Sequence, residues 1–164
     1  MNCLIESERL RLRKFTLLDA EDYYKMTQDD AIKEFTSYAA CETLEDAKEN
    51  ISLSYIHGNL RQDFYLVIEE ASTNKMVGAI IATTSKEDDI EMSILIHKDH
   101  RRQGYITEAL SLFFQIVPKG KKLHFCIDSR NEASLQTMKK FPKIFYKSSS
   151  NVSGTIFHTF IYEV

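Results

Sequence analysis

Residues 97–110, HKDHRRQGYITEAL, follow the apolar run 90–96, IEMSILI, and the junction of these two stretches decides how the chain is read. The first run alternates. Ile90, Met92, Ile94 and Ile96 share one side of an extended chain, and Glu91, Ser93 and Leu95 share the other. From Tyr105 the period changes, because Ile106, Ala109, Leu110, Phe113 and Val117 fall on one stripe of a helix that Pro118 and Gly120 end. Between strand and helix stand Arg101, Arg102, Gln103 and Gly104. A helix N-terminus offers unpaired N–H groups and a dipole that favours negative charge, so this junction can seat a phosphate. Glycine at 104 lets the backbone approach a ligand with no Cβ in the way, and the two arginines supply charge. The same composition serves equally well as an ordinary turn at the surface.

Residues 90–141 resemble the acetyl-CoA-binding half of the GNAT superfamily of N-acetyltransferases. There a strand ending in V/I-x-P-x-x-R/Q-x-x-G-x-G/A precedes the helix that holds the CoA pyrophosphate. Here the pattern begins at Ile96, places Arg101 and Gly104 in register, and departs at Lys98 for the proline and Ile106 for the last small residue. Those departures imply a wider loop or a weaker grip on the phosphates. The run from Asn131 to Ser134 is similar to the N-x-x-S of the RimJ/RimL-like branch, and the opening from Glu8 to Ala20 is similar to the start of that branch.

The resemblance implies an acetyl-CoA cosubstrate bound by Ile94, Leu95, Ile96, Arg101, Arg102, Gln103, Gly104, Tyr105, Ile106, Thr107 and Asn131. Acetyl transfer to an amine needs a neutral nucleophile. An α-amine has a pKa near ~8 and a lysine near ~10.4, so a base must take a proton. Glu91, opposite the apolar side of its strand, is the candidate base, directly or through water; the same residue also fits a solvated strand position or a salt-bridge partner. Backbone N–H groups of Leu95 or Ile96 polarise the thioester carbonyl if a bulge leaves them unpaired. The helix after Asn131 carries Met138 where many relatives have a tyrosine acid, which leaves Ser134 to hold the thiolate or serve as a plain first-turn serine. Asn131 equally caps that helix. Pro142 stands where relatives commonly have glycine.

With 164 residues the chain has the size of one domain, and no second is expected. A net charge of −3 argues against non-specific binding to nucleic acid or anionic membranes. Cys3, Cys41 and Cys126 lack metal or disulfide spacing, Cys126 reads as a buried small hydrophobe, and His97 with His100 makes a poor metal site, so no metal is expected. No apolar run reaches the length of a membrane span, which suits a cytoplasmic protein.

The remaining elements follow from period and punctuation. They are a strand over 9–15; a helix over 17–27 burying Leu17, Ala20, Tyr24 and Tyr23; a short helix over 31–38; and a helix from Thr43 with Leu44, Ala47, Ile51 and Tyr55 on one face, stopped at Gly58-Asn59. Then come a hairpin (64–70, 76–85) leading through residues 86–89 into the 90–96 strand, a strand over 122–127, a helix over 132–141, and strands at 144–147 and 155–163 around a 148–154 loop. Tyr23, Tyr24, Phe35 and Tyr38 are candidates for lining an acceptor pocket. The expected fold is α/β: one GNAT-like domain with a mixed, mostly antiparallel sheet of about seven strands and helices on both faces. Two functions are carried forward. One is an N-acetyltransferase acting on a protein N-terminal α-amine or a small amine in a ternary complex. The other is a CoA-binding module of the same fold without catalysis. A homodimer is left open.

Overall fold

The computed structural model describes residues 3–36, 40–56, 63–85 and 89–164. Among these, eight strands form one sheet in the order β1-β2-β3-β4-β5-β6-β8-β7. They are β1 (Cys3–Glu6), β2 (Leu10–Lys14), β3 (Phe64–Glu70), β4 (Lys75–Thr84), β5 (Ile90–Ile96), β6 (Lys122–Asp128), β7 (Ile144–Val152) and β8 (Thr155–Glu163). Every neighbouring pair is antiparallel except β5 and β6. The helices are α1 (Ala20–Thr27), α2 (Asp30–Phe35), α3 (Leu44–Glu49) with a π-helical extension (Asn50–Ile56), α4 (Tyr105–Ile116) and α5 (Glu132–Met138). No helix among the described residues is long and apolar enough to cross a membrane.

Alternation on the strands makes two cores. Leu12, Ile68, Ile80, Ile90 and Met92 pack with Ala109, Leu110 and Phe113 of α4 and Met138 of α5. On the other face Val67, Ala79 and Leu95 pack with Tyr23 and Met26 of α1, Ile32 of α2, Ala47 of α3 and Ile51. β5 thus serves both cores from one strand, as its seven-residue pattern anticipates.

The structure departs from the sequence reading at the margins. An eighth strand, β1, joins the edge; only four residues long and mostly exposed, it carries no periodic signal. Leu17 is 55% exposed rather than buried. The amide and hydroxyl of Thr16 both donate to Asp19 Oδ2, at 2.8 and 3.0 Å, which tightens residues 17–19 into a 3-10 turn and delays the α-helix to Ala20. Tyr23 is buried and Tyr24 only half-buried. The capping box at Thr43 is present, with Asp46 N–H donating to Thr43 Oγ1 at 3.1 Å, yet Leu44 faces outward while Ala47 and Ile51 are buried. Cys126 is exposed rather than buried. α5 stops at Met138, three residues short of the expected end. The 148–154 loop is mostly strand: β7 runs to Val152, and Ser153 and Gly154, at φ 51° and 87°, make the two-residue turn into β8. Serine-rich sequence at an edge shows no apolar alternation, so it reads as loop. The side chain of Tyr55, the expected stop at Gly58-Asn59, Tyr38, and residues 86–88 lie outside the described part.

Between strands β2 and β3 and the turn before α1 lies an ionic cluster. Arg13 Nη1 and Nη2 donate to the two oxygens of Asp19 at 2.9 and 2.7 Å, and Arg13 Nε donates to Glu69 Oε2 at 2.5 Å. All three residues are at most 8% exposed.

Gly78 keeps β4 close to β5. A Cβ there would collide with the Leu95 carbonyl oxygen and lie 2.7 Å from Ile96 Cδ1. Gly78→Ala should therefore lower stability by about 1–3 kcal/mol, read as a shifted urea midpoint, because a backbone oxygen has no rotamer to move into. A wild-type midpoint would show that the two strands separate freely.

Candidate functional site: a wedge between two parallel strands

β5 keeps β4 from Thr84↔Ile90 to Gly78↔Ile96, and β6 keeps β8 from Lys122↔Glu163 to Asp128↔Phe157. Between them β5 and β6 share only two pairs, Ile90↔Leu123 and Glu91↔His124. Each strand follows its outer neighbour, and the sheet opens as a wedge toward the C-terminal ends of both. Backbone direction along β5 then follows from alternation. The N–H of His97 donates to Val77 O at 2.9 Å, toward β4. Leu95, two residues back, points the same way, and Ile94 and Ile96 turn their backbone groups toward the wedge. The expected bulge is absent, since the β4–β5 register is unbroken. In the wedge it is the backbone of Ile96, and not that of Leu95, that is turned away from β4.

The wide end of the wedge is the 97–104 loop. His97 Nδ1 accepts the Asp99 amide at 3.3 Å and starts a 3-10 turn, Lys98–His100. Arg102 and Gly104 then take positive φ, 62° and 78°, and α4 begins with no side chain capping Gly104. The first-turn amides of a twelve-residue helix therefore face outward without an intrahelical acceptor. Arg102, Gln103 and Gly104 are exposed, and Ile106 and Thr107 are half-exposed. Tyr105 turns inward, where its hydroxyl donates to Glu70 Oε1 at 2.5 Å and holds that carboxyl below its ordinary range.

Arg101 is differently employed. Its Nη2 donates to Asp29 Oδ1 at 2.6 Å and its Nε to Ile96 O at 3.3 Å, so its guanidinium ties the loop to the N-cap of α2 rather than standing over the α4 amides. The loop's other support is Arg9, unnoticed in the sequence. It donates to Gln103 O at 3.1 Å, ion-pairs with Glu108, and lies 5.0 Å over the Tyr105 ring. A second arginine reaches α2 from the opposite lip. Arg130, just past β6, pairs with Asp128 at 2.6 Å and Glu34 at 3.1 Å and sits 5.7 Å from the ring of Phe35. α2 thus lies across the opening, fastened to both sides.

Burial raises the pKa of Asp29, but the hydrogen bond and charge of Arg101 outweigh it and leave the carboxyl below its ordinary value. Asp128 is lowered likewise, chiefly by its hydrogen bond from Arg130. A depressed carboxylate stabilises the fold fully above the unfolded pKa, near ~3.9, and that contribution is lost as pH falls through the folded value. Asp29→Asn should accordingly narrow the stability difference between about pH 6 and about pH 2 in thermal melts. An undiminished difference would mean that the pair with Arg101 contributes nothing.

At the closed end, Glu91 is exposed on the face away from α4, beside His124. Cys126 follows on the same face of β6; although its residue surface is exposed, partial desolvation of the thiol and the charge of Glu91 outweigh a hydrogen bond with Thr159 and push the thiol up. Asn131 caps α5, its Oδ1 accepting the Ser134 amide at 3.2 Å, at the β6 lip. Ser134 is half-buried in the first turn, whereas Met138 is 4% exposed inside the core. The wedge thus gathers the loop 101–107, Ile94, Ile96, Glu91, Asn131 and Ser134 around one opening, while Leu95 faces the other core. Sequence reasoning missed Arg9, Asp29, Arg130, Asp89 and His124. Only the alternation of Leu123, Phe125 and Ile127 signalled that His124 shares a face with Cys126.

An acetyltransferase (GNAT) domain family matches residues 9–141. A curated relative, the uncharacterized N-acetyltransferase YoaA of Bacillus subtilis (strain 168), is 29% identical over 113 residues; the match covers 66% of this chain and 62% of the relative, so the chain spans less than two thirds of its length. Among solved structures, a GNAT-family acetyltransferase from Bacillus anthracis superposes with a TM-score of 0.80 at 17% identity, covering 97% of each chain. A Vibrio cholerae protein assigned as a ribosomal-protein-serine acetyltransferase gives 0.75 at 16% identity over 100% of each chain.

Proposed function

Because the chain belongs to the acetyltransferase (GNAT) domain family, whose acetyl donor is acetyl-CoA, we propose that it is an N-acetyltransferase that moves this acetyl group onto a primary amine by direct attack in a ternary complex. The wedge between β5 and β6, ending on the uncapped start of α4, carries the reading. An extended arm fits along the open side of β5, and a diphosphate fits the amides of residues 102–107. The coenzyme supplies an activated thioester. The chain's own groups do the rest: the Ile94 and Ile96 amides face the arm, Asn131 and Ser134 border it from α5, and Glu91 at the closed end takes up the amine's proton.

The acceptor we favour is a protein N-terminal α-amine or a small amine, in the manner of the RimJ/RimL-like branch. The N-x-x-S run at Asn131–Ser134 supports this, and the likeness to the Vibrio cholerae protein extends to the fold. Three widely spaced cysteines without disulfide or metal spacing suit the cytoplasm.

Met138 favours a second reading, a CoA-binding module without turnover, because a buried thioether stands where a tyrosine acid is common. One experiment separates the two. Calorimetry with acetyl-CoA, followed by thiol release across a panel of peptides and small amines, should show both uptake and turnover. Uptake without turnover on a broad panel supports the module, and no uptake at millimolar coenzyme removes both.

A further inference from the structure

The closed end of the wedge holds a histidine that the proposed chemistry has not used. His124 Nε2 lies 2.9 Å from Asp89 Oδ2, and both side chains are about three-quarters buried or more, at 20% and 26% exposure. Asp89 sits two residues before Glu91, and Glu91 is the register partner of His124 on the neighbouring parallel strand. Neighbouring strands lie about 4.8 Å apart, and Glu91 and His124 project to the same face. An imidazole held by a carboxylate therefore stands beside the exposed carboxylate at the apex of the opening.

The groups that face this histidine are Asp89, just before β5, Glu91 on β5, and its neighbours Cys126 and Lys122 on β6. Strand β8 sets Ile161 opposite it, with Glu163 paired to Lys122 at 3.8 Å farther along. In the tautomer whose Nε2–H donates to Asp89, the lone pair of Nδ1 is left as the proton acceptor.

A carboxylate alone is a weak partner for this task. An ordinary glutamate is a weaker base than an α-amine by about four pH units, and weaker than lysine by about six. Histidine is the side chain that exchanges a proton near neutral pH, and a positioned imidazole is the most frequent base in proton abstraction.

We infer that the amine's proton ends on His124, that Asp89 fixes the ring for this task, and that Glu91 draws the ammonium in and passes the proton on. The inference rests on the acetyltransferase reading. An N–H bond of the ammonium breaks, leaving its electron pair on nitrogen for attack. The proton forms a new N–H bond at Nδ1, and Asp89 stays ionised beside the imidazolium. The second proton lost from nitrogen goes to the departing sulfur, so one proton per turnover remains on His124 and returns to water past the exposed Glu91. Asp89 is a positioning residue.

The test uses the full chain with acetyl-CoA and an amine that the wild type acetylates. His124→Gln should bind acetyl-CoA with wild-type affinity while kcat falls about 100-fold and the acid limb of the kcat profile disappears. His124→Ala should regain at least about tenfold of its lost rate when imidazole is added, a rescue that a structural role would not give. Asp89→Asn should lower kcat while moving, not removing, the acid limb; because it leaves the imidazole in place, it also serves where the His124 variants melt early. Wild-type kcat and an unmoved acid limb in His124→Gln would overturn this inference and leave the acetyltransferase reading standing. Loss of rate without imidazole rescue, with the acid limb intact, would overturn it as well. A wild type that binds acetyl-CoA but acetylates no amine overturns both.

Discussion

Arg13→Met will lower the unfolding free energy by about 3–5 kcal/mol, measured by urea denaturation. The side chain of Arg13 is nearly as buried as those of its partners, and it makes three hydrogen bonds to two carboxylates. Methionine fills similar space but donates nothing. Asp19 would lose both bonds to its carboxylate oxygens and keep only the Thr16 donors, while Glu69 would keep Arg11 at 3.1 Å. The cost is that of leaving charge under the sheet rather than the worth of the ion pair, which breaking and replacing distinguish. Adding Asp19→Asn and Glu69→Gln to Arg13→Met should recover part of the loss; a triple variant as unstable as the single would point to packing.

Glu91→Gln will lower turnover by about 100-fold or more while acetyl-CoA affinity stays at the wild-type value, read by thiol release and calorimetry. The amide keeps the shape of the side chain and removes its charge and basicity. In the proposed arrangement the coenzyme is held by β5 beyond Glu91 and by α5, so its affinity should not sense the change. An acceptor bearing a positive amine should, through a raised KM beside the lower kcat. Equal activity in wild type and variant would return Glu91 to the status of a solvated strand residue, one of the roles its sequence position allows.

What could be read in the sequence was whatever depends on neighbours three or four residues away. The 90–96 alternation and the 105–117 stripe predicted β5 and α4 to within a residue, because each buries a face whose period is set by its own backbone. Gly104 was legible as a bend, and its φ of 78° shows why glycine stands there. Contacts between distant segments were not legible. Arg9 meets Glu108 across 99 positions, Arg101 meets Asp29 across 72, and His124 meets Asp89 across 35. An arginine that supports a loop looks the same in sequence as one that binds a phosphate, so the contact of the Arg101 guanidinium with a helix cap could not be read from the sequence. The edges failed for a different reason. β1 and most of β7 bury little, and a strand without a dry side leaves no pattern.

Fastening α2 at both ends has an evolutionary consequence. Asp29 caps its six residues and Glu34 and Phe35 lie in the last turn, and these hold arginines from opposite lips of the opening. A lineage that exchanged this short helix would also have to re-form its contacts with Arg101 and Arg130 on the two lips of the wedge. Changes in this helix are therefore expected to arise together with changes at positions 101 and 130, and a graft of the helix alone should dock poorly.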